Sequence, residues 1–359
     1  MDFDFSDDQL ALRDAVARWV EKGFGFERRH GLAKAGGFTR AVWQELADLG
    51  LTGLAVPTEH GGMGFGPVEA MVVMEELGAG LVNAPFAQGA LITPTLLQAA
   101  PAALQADWLP RVAEGSALVV LAHQERAARY RLHHVTTPAQ REGDQWRLSG
   151  GKSVVPAGDE ADAFIVPARL SGPADATEGI GLFLVTPGSP GCSVRGHATQ
   201  DGARAAELQL QACPAHLVCE QGFAVLEQAV DIGIAALCAE GVGLMGKLTA
   251  ITVEYMNTRK QFGTTLASFQ ALRHRIADVK MQLELARSMS YFASLKLGEP
   301  VPARRRAISQ AKVQIGQSAR FVGQQCIQLH GGIGVTDEYI ASHYFKRLTM
   351  LEMQFGDRQ

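Results

Sequence analysis

The sequence predicts a mainly α-helical protein with a central β domain. Residues 1–115 carry apolar side chains at helical spacing, whereas residues 116–215 form short alternating or β-branched runs separated by glycine, proline and aspartate. Long helical patterns return after Gly222. We therefore predict an N-terminal helical domain over 1–115, a middle β domain over 116–218 and a C-terminal helical bundle over 219–359. This order argues against a Rossmann domain or a TIM barrel, in which strands and helices alternate.

The N-terminal domain begins with a helix signal. Ser6 and Gln9 have the spacing of a capping box, and apolar residues follow at helical spacing. A second helix is predicted over 42–49 and a third over 68–77, separated by the stretch GLAVPTEHGGMGFG at 53–66. The glycine spacing in that stretch is not the dinucleotide-binding fingerprint, and no βαβ unit surrounds it, so we do not predict a nucleotide site there.

The middle and C-terminal domains follow from the same patterns. The predicted strands are the runs at 117–123, 144–156, 161–170, 179–187 and 206–211. The predicted long helices span 223–259, 269–297 and 304–329.

Composition limits the classes of function. The 359 residues are 47% hydrophobic and 19% charged with a net charge of −4, so no polybasic field attracts nucleic acid or anionic lipid. No apolar run approaches the roughly 20 residues that span a bilayer, and the acidic residues 1–9 do not resemble a targeting peptide. We expect a soluble, cytoplasmic protein with neither nucleic acid nor a membrane as partner.

The cysteines and histidines give no metal or disulfide pattern. The five cysteines are scattered and lack CxxC pairs, which favours buried reduced thiols, and His133–His134 has no third ligand at useful spacing. No metal site is predicted. The cysteines are Cys192, Cys213, Cys219, Cys238 and Cys326.

Four segments resemble the acyl-CoA dehydrogenase family. They are VEYMNTRKQFGTTLASFQALRHRIADV (253–279), QLHGGIGVTDEY (328–339), FSDDQLALRDAV near the start and GLAVPTEHGGMG in the first domain. The resemblance covers essentially the whole chain and is most specific in the C-terminal motifs. It implies an FAD-dependent enzyme that oxidises a CoA thioester between its α and β carbons. It also implies a helical N-terminal domain, a β-barrel-like middle domain and a C-terminal four-helix bundle.

The resemblance also implies partners. Family members form dimers or dimers of dimers and pass electrons to an electron-transfer flavoprotein or a similar acceptor. Among them, this chain is most similar to the small subunit of bacterial heteromeric enzymes of the pimeloyl-CoA and steroid side-chain type, which suggests an α2β2 tetramer. The family pattern continues into a further helix after the position of Gln359.

A flavin site needs a fixed cation and backbone N–H groups for the diphosphate of FAD. The resemblance implies that residues of this chain reach the adenosine diphosphate half of a flavin held mainly by the neighbouring subunit. The residues alone also allow a surface cation at Arg259 and a simple helix stop at Gly331–Gly332. The flavin-binding residues implied by the resemblance are Arg259, Phe262, Gln270, Gln328, Gly331 and Gly332.

The chemistry requires a base, because the α-proton of a thioester is only weakly acidic, and it requires donors for the enolate-like oxygen and a flavin N5 to accept the β-hydride. The two places where the family carries its glutamate fall on Phe355, before Gly356, and on or near Gly233. Neither is a carboxylate. If the chain is active alone, the substitutes to consider are Asp231, Glu240, Glu352 and Asp357, each of which is otherwise an ordinary solvated or capping acid.

The β domain also departs from the family. The flavin loop, Thr-Glu-Pro followed by Ala-Gly-Ser-Asp, aligns with 123–134, which shares almost nothing with it. The strand that covers the flavin ring aligns with 154–156, where Pro156 has neither an N–H nor a hydroxyl for N5. We expect a subunit that completes a partner's flavin site. The alternatives are an active homomeric dehydrogenase with a nonstandard base and a non-catalytic structural subunit.

Overall fold

A computed structural model describes residues 5–357, which divide into two compact units. The helical unit comprises the described residues up to Gly31, Pro67–Val82 and the chain from Ile234 onward; the β unit comprises Leu32–Gly66 and Asn83–Gly233. Within residues 5–357 the α-helices are α1 Asp7–Gly23, α2 Phe26–Lys34, α3 Arg40–Asp48, α4 Pro67–Ala79, α5 Thr93–Leu97, α6 Ala102–Ala113, α7 Gly222–Thr258, α8 Gln270–Lys296, α9 Val301–His330 and α10 Ile340–Met353. The strands are β1 Val119–Leu121, β2 Ala139–Glu142, β3 Gln145–Pro156, β4 Ala163–Arg169, β5 Ile180–Val185, β6 Cys192–Ala198, β7 Arg204–Cys219, β8 Lys260–Gln261 and β9 Thr264–Thr265.

The predicted fold class is confirmed: helices precede and follow a central set of strands. The capping box at the start of α1 forms as the sequence indicated. The backbone N–H of Gln9 donates to Ser6 Oγ at 3.3 Å, and the backbone N–H of Ser6 donates to Gln9 Oε1 at 3.0 Å. These two bonds satisfy donors that a helix start otherwise leaves open.

Helix α7 is the longest helix in the described part of the chain and supplies much of the core. Its composition and length would allow it to cross a membrane, contrary to the expectation from the sequence, but 67% of its most apolar window is buried inside the protein. That burial explains the apolar composition without a bilayer. Helix α4 crosses α7 closely at Gly243, where an added Cβ would lie 1.9 Å from the carbonyl oxygen of Glu75.

The β unit contains a seven-stranded sheet in the order β1-β4-β5-β7-β3-β2, with β6 also paired to β7. The long strand β7 pairs with different strands along its length. Its residues Ala205 to Ala215 pair with β3, and its residues His216 to Cys219 pair with β5. A parallel bridge between Pro138 and Arg169 links the β2 end of the sheet to β4. The sheet therefore curves back on itself, as a barrel-like domain requires.

Candidate cofactor-binding site

The end of α7 presents one half of the predicted site. Arg259 directly follows α7 and is exposed, and its guanidinium has no hydrogen-bond or ion-pair partner among residues 5–357. The β8–β9 hairpin follows, with Phe262 at φ +54° and 93% exposed. A non-glycine residue in the left-handed region is uncommon, and an aromatic side chain left in solvent is costly. The hairpin thus presents a strained backbone position and an aromatic ring at the surface.

The end of α9 presents the other half. Gln328 is exposed on its last turn, and Gly331 ends the helix at φ +66°, a conformation that glycine adopts without strain. The exposed Gly331 and Gly332 then open a tight turn, Gly331–Val335. The turn folds back on its own helix, because a Cβ on Gly334 would lie 2.8 Å from the Cβ of His330.

Stacked rings bring these two halves together within the helical unit. Tyr255, one turn before Arg259, stacks on His330 with ring centroids 4.7 Å apart, and Tyr339 lies 5.1 Å from the same imidazole. Gln270, the first residue of α8, is exposed. The arrangement joins a cation and a glycine turn on adjacent helix ends, which are the groups that a diphosphate needs. The residues present therefore fit the adenosine diphosphate half of FAD.

The two positions predicted for the family's base carry no carboxylate. Phe355 follows α10 at φ +56° and is half-buried, and Gly233 is buried within α7. Of the substitutes, Asp231 is fully buried in the β unit and Asp357 is half-buried at the last described residue.

The two remaining substitutes are bound to arginines inside the helical unit. Glu240 is 5% exposed and receives two hydrogen bonds from Arg347, at 2.6 Å from Nε and 2.9 Å from Nη2. Glu352 is 7% exposed and receives two from Arg320, at 3.1 and 3.0 Å. Both carboxylates are therefore already engaged by arginine side chains within the helical unit.

The loop aligned with the flavin loop is tied into the β unit by a buried ion pair. Glu125 accepts a hydrogen bond from the Lys152 ammonium at 2.7 Å and from the Thr137 hydroxyl at 2.7 Å. Burial raises the pKa of Glu125, but the Lys152 charge and these hydrogen bonds outweigh it and hold the pKa at about 2. The glutamate of this loop therefore serves the fold.

The strand predicted to align with the flavin ring also makes hydrogen bonds within the chain. Val154 lies at φ +52° within a bulge of β3, and its N–H donates to Glu207 Oε1 at 3.3 Å. The other oxygen of Glu207 lies 3.5 Å from Arg126 Nη2. With Pro156 two residues on, this segment offers a flavin ring few uncommitted donors. These residues do not fit a flavin held by the β unit alone.

Sequence reasoning missed three of these features: Glu207, the Lys152–Glu125 pair and the ring stack around His330. The sequence around Lys152 did not reveal its buried partner, because β3 mixes polar and apolar residues and Glu125 lies outside that strand. Glu207 alternates along β7 like a solvent-facing residue, so the sequence did not distinguish it.

One cluster in the helical unit has the residue types of a metal site. Side-chain ligand atoms of His30, Asp337 and His343 lie within 4.8 Å of one another. However, Arg29 donates to His343 Nδ1, so that His343 Nε2 carries the ring proton and faces the carbonyl oxygen of Asp337 at 2.9 Å. The Lys346 ammonium also lies 3.1 Å from the Asp337 carboxylate. The cluster is a hydrogen-bonded ion-pair network.

Comparisons with known proteins give the same order of a helical, a β and a second helical domain. The family models of the acyl-CoA dehydrogenase N-terminal, middle and C-terminal domains match residues 6–116, 121–213 and 220–359. Acyl-CoA dehydrogenase FadE12 of Mycobacterium tuberculosis is 29% identical over 354 residues, which cover 93% of this chain and 88% of that protein. Acryloyl-CoA reductase (NADH) of Anaerotignum propionicum is 26% identical and covers 89% of this chain and 84% of its own length.

Two solved structures add to these relatives. A steroid ACAD, Tcur3481-Tcur3483, has a TM-score of 0.89 at 29% identity and covers 98% of this chain and 94% of its own. The ChsE4-ChsE5 complex of Mycobacterium tuberculosis has a TM-score of 0.90 at 26% identity and covers 100% of this chain and 96% of its own.

The fold and the three matched family models define a flavoprotein oxidoreductase of the helix–β–helix type. The chain belongs to the acyl-CoA dehydrogenase family. Members of this family are FAD-dependent oxidoreductases that act on the CH–CH bond of acyl-CoA thioesters.

Proposed function

We propose that this chain is a subunit of a heteromeric, FAD-dependent acyl-CoA dehydrogenase, in which it completes the flavin site of a partner subunit. The observation that carries the proposal is the exposed pair of helix ends, with the Arg259 guanidinium unpartnered among residues 5–357 beside the Gly331–Gly332 turn. Arg259, Phe262, Gln270 and Gln328 would contact the adenosine diphosphate half of the partner's FAD.

The catalytic side of the proposal rests on what the base positions hold. Phe355 and Gly233 cannot abstract a proton, and the buried carboxylates of Glu240 and Glu352 each accept hydrogen bonds from an arginine, Arg347 and Arg320 respectively. The partner would supply the base, and the flavin it holds would supply hydride acceptance when bound. This chain would contribute binding and orientation.

An exposed apolar row supports an oligomer. Several large apolar side chains on the outer face of α8 are between 36% and 55% exposed, and one on α9 is 40% exposed. Apolar patches of this kind mark interaction surfaces in soluble proteins. The α8 spacing of four, three, four and three residues, with Ser288 in the middle, is that of a helix-packing seam. The side chains are Met281, Leu285, Phe292, Leu295 and Val313.

The acyl group we propose is bulky or dicarboxylic, by similarity to relatives of the steroid and pimeloyl type. One of the solved relatives is described as a steroid ACAD. The electron acceptor would be an electron-transfer flavoprotein or a similar protein. The enzyme would act in the cytoplasm.

The test uses Arg259→Ala in a tagged chain isolated from its native host together with the subunits that accompany it. A charge-assisted bond to diphosphate is worth about 1.5–3 kcal/mol, so FAD affinity should fall about 10- to 150-fold. FAD released per assembly is measured by absorbance after denaturation, and thermal unfolding of the flavin-free chain should stay within about 0.5 kcal/mol of wild type. Arg306→Ala, another exposed arginine of the helical unit, is the matched control and should change neither quantity.

The same preparation separates the alternatives. Turnover only with the accompanying subunit supports the proposal. Substrate-dependent bleaching of FAD by the isolated chain favours an active homomer and directs attention to Asp231, Glu240, Glu352 and Asp357. Equal FAD content in Arg259→Ala and wild type contradicts the assignment, and an assembly that never carries FAD favours a structural subunit.

A further inference from the structure

The imidazole of His330 is almost completely enclosed at the junction of three chain segments. His330 is the last residue of α9 and is 3% exposed. Its ring lies between Tyr255 from the last turn of α7 and Tyr339 from the start of α10, with centroid distances of 4.7 and 5.1 Å. Tyr255 and Tyr339 are themselves 6.3 Å apart. The imidazole of α9 thus contacts an aromatic ring from each of the other two segments.

The hydrogen bonds of this ring fix its tautomer. Nδ1 lies 2.8 Å from the carbonyl oxygen of Cys326, which can only accept, so Nδ1 carries the proton and donates. Nε2 then bears a bare lone pair. It is buried and has no partner among residues 5–357. Burial lowers the pKa of His330, which keeps the ring neutral.

This arrangement makes the folded chain less stable than it would be with an apolar ring at position 330. A buried acceptor without a donor carries an uncompensated desolvation penalty, whereas phenylalanine in the same slot would keep the stacking and carry no polar atom. Groups that break this packing rule tend to lie at functional sites. Nδ1 is the atom of His330 that makes a hydrogen bond, and that bond fixes the orientation of the ring.

The Nδ1 hydrogen bond determines how the glycine turn is supported. This bond ties the imidazole to the preceding helical turn and prevents its rotation. Gly331, at φ +66°, is the next residue in the chain. The Gly331–Val335 turn wraps against this side chain, because a Cβ on Gly334 would meet the Cβ of His330 at 2.8 Å. The ring face meanwhile contacts Tyr255, whose carbonyl accepts the backbone N–H of Arg259 at 2.8 Å. One side chain thus touches both halves of the proposed site.

We propose that His330 is a positioning residue that holds the Arg259 helix end and the Gly331–Gly332 turn in one fixed arrangement for the FAD diphosphate. The inference rests on the proposed function of this face. His330 does not touch the cofactor; it acts through the turn and through Tyr255.

Two substitutions distinguish the contribution of the stacked ring from that of the N–H donor. His330→Phe keeps a stacking ring and removes both Nδ1 and the unpaired Nε2. His330→Asn removes the ring but keeps a side-chain N–H that can reach a carbonyl four residues back. A residue with only a structural role would change FAD content in step with stability in both variants.

The two variants should change in opposite senses. In the flavin-free chain, His330→Phe should raise the melting temperature by about 2–4 °C and His330→Asn should lower it by a similar amount. In the assembly isolated from the native host, His330→Phe should lose FAD severalfold, while His330→Asn should retain more FAD than His330→Phe despite its lower stability. FAD content that follows melting temperature, or that is unchanged in His330→Phe, overturns the inference.

Arg259→Ala in the same assay keeps this outcome separate from the proposed function. If Arg259→Ala loses FAD and the His330 variants do not, the face binds FAD and only the positioning role is wrong. If Arg259→Ala retains full FAD, the proposed function itself is contradicted. Should His330→Phe fail to fold, His330→Tyr offers a second ring of similar size for the same comparison.

Discussion

The ends of α7 and α9 and the 123–156 region of the β unit are both predicted to align with flavin-contacting parts of the family, yet their polar groups are used differently. At the helix ends, the Arg259 guanidinium and the glycine turn face solvent. In the β unit, the Glu125 carboxylate accepts hydrogen bonds from Lys152 and two threonines, and the Val154 N–H donates to Glu207. Polar groups that a chain satisfies internally serve its fold, and those it leaves at the surface are available to a partner or ligand.

The contrast extends to backbone strain. Phe262 and Val154 both adopt positive φ, at +54° and +52°, although a β-branched residue resists this conformation most. In the hairpin, the strain comes with a 93% exposed aromatic ring that a binding partner would cover. In β3 it comes with an internal hydrogen bond to Glu207, which already compensates part of the cost.

The largest expected effect concerns the β unit and tests whether its polar groups serve the fold. Lys152 is fully buried, so Lys152→Met leaves the Glu125 charge buried without its ion-pair partner. The free energy of unfolding should fall by about 3–5 kcal/mol, measured by urea denaturation. The double variant Lys152→Met, Glu125→Leu should recover much of the loss. A single variant as stable as wild type would contradict the contrast.

Acid sensitivity sharpens the same comparison. The pKa of Glu125 is about 2 in the folded protein against an ordinary value of 4.5, so its contribution is complete above pH 4.5 and disappears as the pH falls toward 2. Unfolding free energy measured across this window should therefore decline less steeply in Glu125→Gln than in wild type. Arg259→Ala, whose charge has no internal partner within residues 5–357, should leave the wild-type slope unchanged.

A smaller effect is expected where the helical unit depends on packing. A Cβ on Gly243 would lie 1.9 Å from a backbone oxygen of α4, so Gly243→Ala should destabilise the chain by about 1–3 kcal/mol. Gly246, on the same helix, has nothing within 4 Å of its added Cβ. Gly246→Ala should therefore stabilise by about 0.5–1 kcal/mol, and thermal melts of the two variants must shift in opposite directions.

The smallest expected effect is at the base position. Phe355→Glu should not create a dehydrogenase, because we expect the 123–134 and 154–156 segments to hold a flavin ring poorly, and a misplacement of about 1 Å can cost about 100-fold in rate. The chain is incubated anaerobically with FAD and acyl-CoA, and flavin bleaching is followed at its visible band. Bleaching by this variant and not by wild type would show that only the carboxylate was missing.

Several features of the site were readable in the sequence. Arg259, Gln270, Gln328 and the Gly331–Gly332 turn stand in motifs whose spacing places them at helix ends, and all of them are exposed at helix ends in the structure. Local signals of this kind depend on a few neighbouring residues. The roles of these residues toward FAD remain predictions.

Other features required contacts between distant segments. Lys152 and Glu125 are separated by 27 residues, and Arg347 and Glu240 by 107, so nothing local identified either pair. The same holds for the catalytic substitutes: only the structure showed that Glu240 and Glu352 are each bound to an arginine.

By itself the sequence determined the order of helices, β domain and helices, the family, and the absence of a carboxylate at Phe355 and Gly233. Periodicity, caps and turns are short-range properties, and residue identity needs no coordinates. Only the tertiary structure decided which charges were paired and which ring joined Tyr255 to the glycine turn. Burial and pairing depend on segments that the fold brings together across the chain, and a neutral, enclosed His330 is the result of that assembly.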